Sequence, residues 1–179
     1  MTGSPGALTP TELDALLGGP ILARLATIDP AGWPAVVPVW FEWDGEAVWI
    51  VARARAGYVG DLKREPRVCL SVVADDDPDR RAQIFGRAEF IGDPGPLDGR
   101  GLEIARRMAV RYEGGKGLQY VERSLAWERA LIRIVPVRIV SWRSPEWHAR
   151  YRKPVGDTGP TQASAASSDP SSLADRRSP

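Results

Sequence analysis

LARLATIDPAGWPAVVPVWFEWDGEAVWIVARARAGYVGDLKREPRVCLSVV, residues 22–73, alternates strand-forming runs with turn signals at short intervals. The first run, residues 22–28, predicts a strand ending in the turn DPAGW, where Pro30 fixes one backbone torsion and Gly32 frees another. Residues 34–43, PAVVPVWFEW, are rich in β-branched and aromatic side chains, which suit a pleated, half-buried surface better than a helix. Asp44-Gly45 is a hairpin signal, and residues 47–52 predict the third strand. RARAGYVGDLKREPRV then predicts a polar loop running into a helix of little more than two turns, starting near Tyr58 and stopped by Pro66. Residues 68–74 predict a further buried strand.

The second strand carries the first functional hint. Alternation puts Val37, Val39 and Phe41 on one face and Val36, Pro38, Trp40 and Glu42 on the other. Both faces are largely apolar, so one is expected to fill an interior and the other to pack on a partner chain, a cofactor or both. Trp40 and Trp43 join Trp33 and Trp49, placing four of the seven tryptophans here, available for packing or for contact with a flat heterocycle.

Working outward, Thr9, Pro10 and Glu12 form a capping signal for an amino-terminal helix that Gly18-Gly19 ends, with Leu13, Leu16 and Leu17 on one stripe. Residues 82–91 predict another strand, in which Gly86 signals a bulge or a close approach. Leu102, Ala105, Met108, Ala109 and Tyr112 recur at helical spacing, and GGKG at 114–117 separates them from a second stripe of Leu118, Val121 and Leu125. Residues 130–142 predict the last long strand, with Pro136 implying an edge or a bulge. The arginines at 100, 106, 107 and 111 read chiefly as a solvated helix face. The acidic run DDDPDRR reads as a turn, because its contiguous aspartates lack the alternate spacing of an oxygen-ligand metal loop.

Composition narrows the function. Twenty-four basic and 23 acidic residues give a net charge of +1, which supplies no drive toward nucleic acid or an anionic membrane. One cysteine, Cys69, excludes an internal disulfide and a multi-cysteine metal site, and no metal is expected. The sole histidine, His148, has no evident carboxylate or nucleophile in register, which argues against histidine-dependent hydrolases. With no apolar run of membrane-spanning length and no basic-then-apolar leader, a cytoplasmic location is expected.

Residues 25–68, together with GRAEFIGD at 86–93, RRMAVRY at 106–112 and VRIVSW at 137–142, resemble the pyridoxamine 5'-phosphate oxidase-like superfamily, across roughly residues 9–143. Within it the resemblance is nearest to the branch that uses the deazaflavin coenzyme F420. It implies a mostly β fold, a six-stranded antiparallel split barrel of the FMN-binding type with flanking helices. The implied organisation is a flexible amino terminus at 1–8, a barrel domain at 9–153 and a disordered tail at 154–179, whose Ser, Ala, Pro and Gly content fits disorder. It implies a homodimer with F420, or alternatively FMN, between the chains. Cofactor contacts are implied for Val37, Pro38 and Val39, for Val51 and Ala52, for Arg53, Arg55, Tyr58 and Asp61, and for Ile84, with Phe85 beside it. The family's loop cation falls on Tyr58 and its small polar residue on Ala56, so here the chain departs from the pattern. Substrate-side positions fall on Tyr112, Lys116, Tyr120 and Trp127. The implied activity is hydride transfer to a conjugated acceptor; a non-catalytic cofactor or tetrapyrrole carrier on the same fold is the alternative. No residue is assigned as catalytic.

Overall fold

The computed structural model describes residues 6–77 and 79–143; His148 and the tail at 154–179 lie outside the described residues. Helix α1, Pro10–Gly18, begins at the expected capping box, with Thr9 and Glu12 exchanging backbone and side-chain hydrogen bonds. Such a cap contributes about 1 kcal/mol. Burial of Leu16 and Leu17, 1% and 0% exposed, contributes about 1.5–3 kcal/mol for each leucine. Docking on the barrel therefore holds this helix more than its cap does.

The seven strands are β1, Ala23–Ile28; β2, Pro34–Val39; β3, Glu42–Trp43; β4, Val48–Arg53; β5, Arg67–Val73; β6, Arg81–Phe90; and β7, Arg129–Trp142. Helix α2, Gly57–Arg64, lies between β4 and β5, and α3, Gly99–Arg123, between β6 and β7. All pairings are antiparallel, in the order β2-β1-β5-β6-β7-β4-β3. The fold is the mostly β split barrel that the resemblance implied.

The continuous second strand expected over residues 34–43 is interrupted. Its first part, β2, pairs with β1 at one edge of the sheet, and its second part, β3, pairs with β4 at the other. Counted as one bent strand, these parts restore the six of the expected barrel. At the bend the ladder cannot serve Phe41, whose side chain is fully buried. Helix α3 supplies the missing partners: Arg111 donates to the Phe41 carbonyl, and the Tyr112 hydroxyl accepts from the Phe41 amide at 3.4 Å and donates to the Ile21 carbonyl at 2.9 Å. Trp40 stacks on the Tyr112 ring at 5.1 Å.

Inside the barrel, Leu25, Val39, Phe41, Val48, Ile50, Leu70, Ile84, Ile132 and Ile134 form one core with Leu16, Leu17, Val59 and Leu62 from the first two helices. Trp49, Val51 and Leu131 point the other way and are covered by Ile104, Ala105, Met108 and Ala109 of α3. That helix is two segments broken at Gly114, φ 58° and ψ −138°, and Gly117 of the second segment rests directly on the backbone of Ala109. The expected GGKG break is thus a turn between segments that pack on each other. Arg106 and Arg107 are ion-paired with Glu122 and Glu42 at 2.8 and 2.7 Å, so this face is less free for a ligand than its sequence suggests.

Gly86 and Pro136 meet at one irregularity. The β6/β7 register shifts between Phe85 and Gly86, leaving Val137 as an extra residue opposite the step. A Cβ on Gly86 would lie 2.7 Å from the Val135 carbonyl oxygen. Gly86→Ala is therefore expected to destabilise the protein by about 1–3 kcal/mol, the usual cost of overpacking. Gly60→Ala, at an exposed position of helix α2 with open space around it, is expected to stabilise by about 0.4–1 kcal/mol. Urea unfolding of the two variants checks both signs.

Candidate functional site

Strand β4 ends at Arg53, whose Cα partner across the ladder is Arg129, the first residue of β7. The chain then turns, with the Ala54 amide donating to the Glu128 carbonyl at 3.0 Å and the Ala56 amide to the Arg53 carbonyl at 2.9 Å. Ala56 gives α2 no side-chain cap. A cleft of about 340 Å³ opens here, lined by Arg53, Ala54, Arg55, Trp127 and Glu128. Cations beside an uncapped helix start suit an oxyanion.

The wall of the cleft comes from the segment joining α3 to β7. Arg53 donates to the Tyr120 hydroxyl at 2.9 Å, and its guanidinium lies 5.3 Å from the centre of the Trp127 ring. Arg129 donates to the same hydroxyl at 3.2 Å and to Ser124 Oγ at 3.0 Å, and its guanidinium lies 5.6 Å from the Tyr120 and Trp127 rings. Among the described residues, no carboxylate pairs with Arg53, Arg55 or Arg129. Burial pushes the Tyr120 phenol up, but the hydrogen bonds and charges of the two arginines outweigh it and leave the group below its ordinary value.

The family model for pyridoxamine 5'-phosphate oxidase matches residues 9–143. The chain belongs to that family. No curated protein matches it. Among solved structures, an F420 reductase is 26% identical, covering 70% of this chain and 94% of its own at a TM-score of 0.55. A conserved hypothetical protein from Mycobacterium tuberculosis is 24% identical, covering 91% and 99% at a TM-score of 0.65. HutZ, a heme storage protein from Vibrio cholerae, is 18% identical, covering 73% and 93% at a TM-score of 0.57. The last two are likenesses of fold.

Of the positions at which this pyridoxamine 5'-phosphate oxidase family resemblance implied cofactor contacts, the structure brings Arg53 and Arg55 together on the cleft. Tyr58 is partly buried against the barrel core. Burial pushes its phenol up, and the charge of Arg129 opposes the shift. Val39, Ala52 and Ile84 are buried inside the barrel, with Val37 partly buried against the same core. Val51 faces α3, Pro38 is exposed on the outer side of β2, and Asp61, 8% exposed, accepts from the Thr27 hydroxyl at 3.0 Å. Tyr120 and Trp127 stand at the cleft, whereas Tyr112 is engaged at the strand bend.

Arg129 is the residue that sequence reasoning missed. In RALIRI at 129–134 the alternation with Ala130, Ile132 and Ile134 marks it as an outer-face position, but nothing local shows that Tyr120 and Trp127 will cover it. The electrostatics of this wall predict an optical signature. In a spectrophotometric pH titration, one tyrosine should ionise ahead of the ordinary range while the half-buried Tyr58 and Tyr112 ionise late. Tyr120→Phe should delete the early step; its persistence would assign that step elsewhere.

Proposed function

We propose that this chain is an oxidoreductase that uses coenzyme F420, or alternatively FMN, for hydride transfer to a conjugated small-molecule acceptor. One observation carries the reading: two arginines that line the cleft, Arg53 and Arg55, and a third behind them, Arg129, which shares the Tyr120 hydroxyl with Arg53, accompany a single lining carboxylate, Glu128. Charge left uncompensated in a partly desolvated place favours an anionic ligand. The charge of Arg129 opposes the upward shift of the Tyr58 phenol, so β7 offers a positive charge in place of the one missing at position 58. The orphaned Nε of Arg129 fits a phosphate-bearing group in the same way.

When bound, F420 or FMN supplies the hydride-carrying ring. The chain's task is then to hold the phosphate end with Arg53, Arg55 and Arg129, and to exclude water with the Trp127 wall. A hydride acceptor needs orientation to within about 3–3.5 Å more than it needs a dedicated acid or base. Similarity to the F420 reductase supports F420 over FMN.

The second reading is a cofactor or tetrapyrrole carrier without turnover. It is favoured by Tyr58, an uncharged and half-buried side chain where the resemblance places a cation. Titration with F420 and FMN, followed by fluorescence, separates the two. Binding with bleaching of the reduced cofactor on addition of an enone or bilin acceptor supports the enzyme, and binding without bleaching supports the carrier. Arg55→Ala should weaken the bound cofactor at least about tenfold, since a hydrogen bond to a charged group is worth about 1.5–3 kcal/mol. An unchanged affinity would take Arg55 out of the site.

A second copy of the chain is the proposed partner. Val36, Ala26, Cys69, Phe85 and Arg138 stand in one row across β2, β1, β5, β6 and β7 on the barrel face opposite its core. Val36 and Val137 are 62% and 74% exposed, and exposed apolar area of this kind marks association surfaces. Sedimentation is expected to give a dimer, and the double change Val36→Glu with Val137→Glu a monomer. A monomeric wild type would remove the partner.

A further inference from the structure

Arg53 and Arg129 are directly opposite on paired strands, an arrangement that costs stability for like charges. Arg129 is only 9% exposed, and its hydrogen bonds go to two neutral hydroxyl oxygens, those of Tyr120 and Ser124. Its Nε has no partner. A buried guanidinium with neutral acceptors alone is under-compensated. The other guanidinium, of Arg53, converges on the same phenol oxygen at 2.9 Å. One uncharged oxygen thus occupies the point where an anionic oxygen would gain most.

We propose that Arg53 and Arg129 form an oxyanion site for a phosphate-class ligand, and that the Tyr120 phenol is its placeholder in the unliganded chain, displaced when the anion enters. This rests on the reading of the cleft as an anion-binding place and adds to it the position of the anion and the group it replaces. Tyr120 is 37% exposed, so its side chain already borders solvent. The helical segment that carries it is fixed without it, by Gly117 against the Ala109 backbone and by the Arg106–Glu122 pair at 2.8 Å. The exchange is therefore a side-chain rotation that leaves α3 in place. The lowered phenol value fits the same geometry, because both guanidinium groups already favour negative charge on that oxygen.

A placeholder and a ligand contact differ in sign. If the phenol competes with the anion, removing its oxygen strengthens binding; if it donates to the anion, removal weakens binding. Inorganic pyrophosphate is titrated into the full chain, following tryptophan fluorescence, for wild type, Tyr120→Phe, Arg129→Lys and Arg55→Ala. Tyr120→Phe deletes one oxygen from a residue that is 37% exposed, so the fold is not at stake. It should bind at least about fivefold tighter, because the two guanidinium groups no longer give up a partner. Arg129→Lys should bind at least about fivefold more weakly, having lost the forked donor set while keeping its charge. Saturating pyrophosphate should also move the early tyrosine ionisation of wild type upward.

Unchanged or weaker binding by Tyr120→Phe, with Arg55→Ala still weakening it, would overturn the placeholder and leave the anion cleft standing. Absence of pyrophosphate binding in every variant would overturn both. Repeating the series with FMN and riboflavin identifies the source of the anion. A Tyr120 effect with FMN and none with riboflavin assigns it to a cofactor phosphate; an effect with pyrophosphate alone assigns it to a separate phosphate-class ligand.

Discussion

One stretch of chain belongs to both edges of the sheet, and the barrel exists because of it. Strand β2 completes the ladder beside β1, and two residues later β3 begins a ladder beside β4 at the far end of the strand order. An edge strand left open would expose unpaired amides and carbonyls. The bend at Trp40 and Phe41 instead carries the chain across the gap, and its unpaired backbone groups are met by Tyr112 and Arg111. The position of α3 is set by the same need. A helix that must satisfy the Phe41 backbone is also one that lies over Trp49, Val51 and Leu131.

This placement divides the outer surface of the barrel. Where α3 covers β4 and the start of β7, the outward residues are Trp49, Val51 and Leu131, which are apolar. Just past the covered area the outward positions become Arg53 and Arg129. The cleft sits at this seam, where apolar cover gives way to cations and where the chain leaves Tyr120 near the end of α3 and passes through Trp127 to rejoin the sheet. Rigid strands hold both arginines, so the charge is positioned by the ladder rather than by a loop.

Much of the architecture was legible because it is local. Turn chemistry at Asp29 to Gly32 and at Asp44-Gly45 reappears as side-chain caps on Ala31, Trp33, Glu46 and Ala47 amides. The Thr9 cap and the Gly86 approach were equally local signals. The break in the second strand was not readable, because β propensity is the same for a strand that continues and one that changes partners. Tyr112 was placed on the correct helix but given a substrate-side role, since a buried hydroxyl serving backbone cannot be told by spacing from one serving a ligand. Arg129 went unnoticed for the converse reason. Its importance comes from residues 53, 120 and 124, which only the closed sheet brings beside it.

A nearly neutral chain can still concentrate positive charge at one place. Arg106, Arg107, Arg80, Arg133 and Arg67 each have a carboxylate within ion-pair distance, so across those surfaces the field largely cancels. At the cleft it does not, and net charge alone would never disclose that concentration. The unliganded fold bears the cost of holding like charges across one ladder rung, a cost that an anion bound only by the folded chain offsets through linkage. Destabilisation confined to one rung is tolerable because the other rungs between β4 and β7, from Val48 with Ile134 to Ala52 with Ala130, are paired and mostly buried. On the proposed reading a ligand would be met first by its anionic end, and the apolar wall of Trp127 would discriminate only among molecules that satisfy that condition.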